Sequence, residues 1–160
     1  MSHDQSGFDV AKAHIHFAVE CFNHAWTFIE KPIRTPAEDE AMVLCSLASL
    51  WHWTQRKDCT DLNLSIGHWQ VSRAWALAGN GPNSMHHALR SLKLADGAGS
   101  FYVGYSHEAI ARAALVLKDA AAFRQHLDKA RSHAARVKEA DERGSLEKDL
   151  LELEAAGQKI

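Results

Sequence analysis

Little in this chain could cross-link it, anchor it in a bilayer or hold nucleic acid. The three cysteines, Cys21, Cys45 and Cys59, are an odd set without C-x-x-C spacing. They give no disulfide framework and read as reduced thiols of a cytoplasmic protein. No apolar run approaches the roughly 20 residues of a membrane span. Lysine and arginine total 18 against 20 aspartates and glutamates, a net charge of -2, which argues against a nucleic-acid partner. The opening residues MSHDQSG lack the charged and apolar regions of a signal peptide, and residues 1–7 are expected to be disordered. There is no Gly-rich phosphate loop, no H-E-x-x-H and no nucleophile elbow. No enzymatic activity, catalytic residue or cofactor is therefore expected.

What is present fits one soluble domain with a real core: 160 residues, 46% apolar and 24% charged. Histidine is the outlier, with 11 copies. Five tryptophans, Trp26, Trp51, Trp53, Trp69 and Trp75, are bulky enough to fill core or to anchor a partner.

Proline and glycine divide the chain into helix-sized pieces. The first runs from about Phe8 to Glu30 and ends before Lys31-Pro32. Thr35 then offers an N-cap, Pro36 a first-turn residue and Glu38 the capping-box partner of a second helix reaching about Arg56. A third lies between Asp61 and Leu77, stopped by Gly79-Asn80-Gly81-Pro82, and a fourth covers about Asn83 to Leu94. The fifth runs from near Phe101 to Leu117, the sixth to about Val137, and the seventh from about Asp141 to Ala156. No segment alternates as a strand does, so the fold class is all-α, with short connections that favour antiparallel neighbours.

In the first helix, Ile15, Ala18, Val19, Phe22, Ala25, Trp26 and Ile29 share one face at about 100° per residue. His16, Glu20, Asn23 and His24 share the other. His16 and His24 are about 12 Å apart along the axis, too far for one metal ion, while His16–Glu20 or Glu20–His24 supplies two ligands at most. A solvated or groove-lining stripe is the reading preferred over a metal site. In "WHW", Trp51 and Trp53 cannot share a helix face, and one is expected in the core. Cys45, among Leu44, Leu47 and Ala48, is expected to be buried and inert, and Cys59 to be exposed.

Two segments repeat. "HWQVSRAWALAGN" places His68, Val71, Ser72 and Trp75 where "HEAIARAALVLKD", 39 residues later, places His107, Ile110, Ala111 and Ala114. Nine residues beyond Trp75 come Ser84, then Ala88 and Ser91; nine beyond Ala114 come Phe123, then Leu127 and Ala130. From His68 to Val137 this spacing resembles the tetratricopeptide repeat (TPR), a helix-turn-helix of about 34 residues. "SLWHW" followed by "GHWQVSRAW" is also similar to bacterial TPR-like proteins of no known activity. The resemblance implies a solenoid of antiparallel helix pairs with a terminal capping helix, and a concave binding surface lined by the first helix of each pair.

Carried over by spacing, that surface takes Trp69, Arg73 and Ala76 from the third helix, and Tyr105, Glu108, Arg112 and Leu115 from the fifth. His16, Glu20 and Asn23 are placed at its end wall. Arg73 and Arg112 occupy the same repeat position, so their guanidiniums are expected to converge on one anionic group. The alternative is local: Arg112 pairs with Glu108, and Arg73 lies over Trp69. The function expected is a non-enzymatic scaffold for a peptide or protein partner. The alternative is a helical protein binding a small molecule or metal through the histidine stripe. In the seventh helix Leu146, Leu150 and Leu153 form one stripe, either a cap on the array or a homodimer seam, with Glu147, Lys148, Glu152 and Glu154 on the wet side.

Overall fold

The computed structural model describes residues 7–158; apart from Gly7, the segment expected to be disordered lies outside them. Seven helices follow in order: α1 (Val10–Ile29), α2 (Pro36–Thr54), α3 (Asp61–Leu77), α4 (Gly81–Leu94), α5 (Ser100–Leu117), α6 (Ala120–Ala134) and α7 (Ala140–Gly157). No strand occurs among the described residues.

Side-chain caps fix most of the starts. Thr35 and Glu38 form the expected capping box, and Thr60 with Asn63 forms a second. The side chain of Asn80 accepts the Asn83 backbone N–H at 3.0 Å, which starts α4 at Gly81, two residues before the sequence estimate. Between α5 and α6 the turn passes through Lys118 in the left-handed region (φ 60°), and Asp119 then caps α6.

Consecutive helices pair: α1 packs on α2, α3 on α4, and α5 on α6. The pairs meet through α2–α3 and α4–α5, and their first helices through α1–α3 and α3–α5, while α7 packs on α5 and α6. Small residues let the axes approach. A Cβ on Gly67 would stand 2.8 Å from Leu50 Cδ1, and one on Gly104 would stand 2.7 Å from Leu146 Cδ2. Buried serines at these crossings keep their hydroxyls satisfied: Ser49 donates to the Ala18 carbonyl at 2.7 Å, Ser65 to Ser91 at 2.9 Å and Ser72 to Ser84 at 2.9 Å.

The sequence reading of α1 needs correction at its edge. Ala18, Ala25 and Ile29 are buried, but Ile15 and Val19 remain 49% and 44% exposed, because close approach to α2 and α3 leaves contact only for the centre of the face. Neither tryptophan of "WHW" is buried: Trp51 is exposed, and Trp53 is half-buried with the Arg56 guanidinium 3.8 Å from its ring. Cys45 is half-exposed rather than buried, and Cys59 is half-buried rather than exposed. Burial raises the thiol pKa of both, which keeps them protonated and poor nucleophiles at neutral pH.

Candidate functional site

A cleft of about 310 Å³ opens among α1, α3, α4, α5 and α7. Its walls are Trp26, Ile66, Trp69, Phe101, Tyr102 and Tyr105, with Asp149 of α7 as the ionisable group at its rim. The rings form a connected set: Trp26 and Trp69 are 5.8 Å apart, Trp69 meets Tyr105 edge-on at 5.2 Å, and Tyr105 meets Phe101 at 5.1 Å. Edge-on contacts of this kind align positive ring edges with negative faces and hold the wall in place. Ser65 and Ser91 also line the cleft, but their hydroxyls are spent on the helix crossing.

Beneath the rings lies an ion cluster. Glu108 is fully buried, and Arg112, one turn on, donates from Nε to its Oε1 at 2.8 Å and again from a terminal nitrogen. Trp69 Nε1–H donates to Glu108 Oε2 at 3.3 Å, so a wall residue is pinned to the floor. Arg73 stands 4.0 Å from Glu108 and reaches Asp149 with two bonds of 3.2 and 3.4 Å. Its guanidinium also sits 5.7 Å from the Trp26 ring and 5.8 Å from Trp69. Burial alone would lower the pKa of Arg73, but Glu108 and Asp149 outweigh it and hold the guanidinium charged. Tyr105 is pushed the other way from reactivity: burial, then the carboxylates of Asp149 and Glu108, raise its phenol pKa. It stays a neutral hydroxyl.

Trp69, Arg73, Tyr105, Glu108 and Arg112 therefore come together. The two guanidiniums do share one anion, but it is Glu108 of the chain itself. Glu108 cannot touch a partner, because no part of it reaches the surface. His16, Glu20 and Asn23 are exposed and line no part of the cleft. Glu20 and Asn23 border a separate shallow recess with Phe17, Cys21, His24, Thr27 and Cys45, because α1 turns that side toward α2 and solvent. Among the described residues, no group of three or more His, Cys, Asp or Glu side chains is placed to hold a metal ion.

No family model, curated protein or solved structure matches the chain.

The site's chemistry is thus read from its own residues. With two arginines balanced by two carboxylates, the floor carries no net charge, and the walls offer apolar area with a hydrogen-bond acceptor at the rim. That suits holding a bulky apolar group and supplies no nucleophile. Sequence reasoning missed Trp26, Ile66, Phe101, Tyr102 and Asp149. Trp26 lay on the face assigned to core, and Asp149 lies 76 residues from its partner Arg73, a separation no local pattern reports.

Proposed function

We propose that the chain is a non-enzymatic binding scaffold of TPR-like helix pairs, which takes a peptide or protein partner along the surface formed by α1, α3 and α5. The observation that carries this reading is the aromatic cleft. Six large side chains enclose a space about as large as the smallest ordinary ligand pockets. An adjoining apolar recess of about 150 Å³, lined by Val19, Phe22, Trp53 and Ile66 among others, extends the same surface. Ile66 belongs to both. The partner feature that fits is a short segment with two apolar side chains, the bulkier one inserted beside Tyr102 and Tyr105.

The test is selection from a displayed peptide library on the full chain, followed by affinity measurement on wild type and Tyr102→Ala. Tyr102 makes a ring contact with Phe101 and stands outside the ion cluster, so its loss should leave the fold intact. Enrichment of peptides with a bulky apolar anchor, weakened at least tenfold by Tyr102→Ala, is the expected result. Failure to enrich any sequence, or enriched peptides indifferent to Tyr102→Ala, would overturn the proposal.

A further inference from the structure

Histidine is the residue in excess here, and the cleft uses none of it. Six of the histidines instead form cross-helix pairs, one in each helix pair. His14 and His52 join α1 to α2 with Nδ1 atoms 2.9 Å apart, His68 and His87 join α3 to α4 at 2.8 Å, and His107 and His126 join α5 to α6 at 3.0 Å. The second and third pairs hold equivalent positions, 39 residues apart. Ring centroids lie 5.0 to 5.1 Å apart in all three, so the nitrogens point at each other. A metal ion on that line would need about 2.0 Å to each nitrogen, roughly 4 Å in all. The gap holds a proton.

A bond between two Nδ1 atoms requires one ring to carry the proton and the other to lack it. For the middle pair the structure decides which. Arg90 Nε donates to His68 Nε2 at 3.2 Å, so that nitrogen is bare, and the neutral ring carries its proton on Nδ1 and donates to His87. Any further proton breaks a bond: on His68 Nε2 it displaces Arg90, and on His87 Nδ1 it opens the pair. In the outer pairs a second charge does the same.

The groups facing these rings are basic, two permanent cations and further imidazoles. His86 and Arg90 of α4 bear on His68 and His87; Lys129 and His133 of α6 bear on His107, with Lys129 also on His126; His14 bears on His52. Arg136 bears on His133, whose ring lies 5.7 Å from His107. The aromatic rings of Phe17 and Trp51 flank the first pair. Asp128 borders the recess at His107, but its side chain is 78% exposed and lies 3.9 Å from Arg131.

We propose that these three pairs are acid-sensitive clasps, which hold the two helices of each pair together while a single proton bridges the rings and release them when acid leaves both facing nitrogens protonated. This stands apart from what the cleft binds. Burial, then neighbouring positive charge, pushes His68, His87 and His107 down to about 4 from an ordinary 6.5, and lowers His52 and His126 as well. The unfolded chain therefore takes up protons first on acidification. Stability is retained above about pH 6.5 and falls as pH drops toward 4.

The test is a proton NMR titration of the histidine rings in the full chain, with thermal melts from pH 7.5 to 5. His68, His87 and His107 are expected to titrate at about 4, and the melting midpoint to fall by about 5–10 °C or more. His52→Gln, His87→Gln and His126→Gln together replace one ring of each pair by an amide that still hydrogen-bonds but does not titrate. This variant should lose less than half as much. If it does not fold, Arg90→Met in the wild-type background serves, and should raise the titration midpoint of His68. His68, His87 and His107 titrating near 6.5 in the wild type, parallel pH losses in wild type and triple variant, or an unmoved His68 in Arg90→Met would overturn the proposal.

Discussion

Glu108 shows how one side chain can organise a site without being available to it. Fully buried, it accepts from Arg112 and Trp69 and stands beside Arg73, so three groups depend on its charge. Removing one partner of a buried ion pair leaves the other charge uncompensated, which costs more than the pair itself contributes. Glu108→Gln keeps the shape and still accepts from Trp69, but strips the counter-charge from Arg112. It should lower unfolding free energy by about 3 kcal/mol in urea denaturation, toward the low end because Arg112 is partly open to water. A change under about 1 kcal/mol would show that the cluster is held by packing rather than by charge. The repeat spacing located Arg73, Glu108 and Arg112 from sequence alone. What spacing does not carry is depth: positions 108 and 112 differ by one helical turn, yet Glu108 is sealed against Trp69 and Arg73 of α3 while Arg112 is open at the edge.

At the scale of helices, punctuation and caps made the boundaries legible. Thr35 with Glu38, the Gly79–Pro82 break and the 3.6-residue period of the apolar positions are local signals, and the helices fall within a few residues of where those signals place them. Exposure at the margins was less legible, as Ile15, Val19 and Cys45 show, because it depends on which neighbour arrives. The leucine stripe of α7 had two uses on sequence grounds. Leu146, Leu150 and Leu153 are each at most 3% exposed, packed with Ala111, Ala114, Phe123, Leu127 and Ala130 of this same chain. Truncation after Lys138 should therefore strip the cover from α5 and α6 and remove Asp149 from Arg73. Burial of three leucines stabilises by about 5 kcal/mol, a large share of the stability of an ordinary domain. Circular dichroism should show a sharply lowered melting midpoint or a chain that no longer folds. A truncated protein with an unchanged midpoint would contradict the packing.

Across the whole molecule the cleft exists because five helices contribute to it, α4 through Ser91 alone, and no stretch of sequence contains it. Trp26 comes from α1, Ile66 and Trp69 from α3, the ring cluster from α5 and the rim carboxylate from α7. Sequence offered Trp69 and Tyr105 through the repeat spacing, while Trp26, Ile66, Phe101, Tyr102 and Asp149 enter by tertiary packing that the spacing did not report. The five tryptophans divide among these environments: Trp26 and Trp69 line the cleft, Trp53 lines the adjoining recess, Trp75 packs against the α1–α2 core, and Trp51 is exposed beside the His14–His52 pair. Their indole N–H resonances therefore report occupancy directly. Titration of the isotope-labelled chain with a library-selected peptide should shift Trp26 and Trp69 most, Trp53 less, and leave Trp51 unmoved. A binding peptide that shifts Trp51 while Trp26 and Trp69 stay still would place the partner elsewhere and contradict the cleft as the binding site.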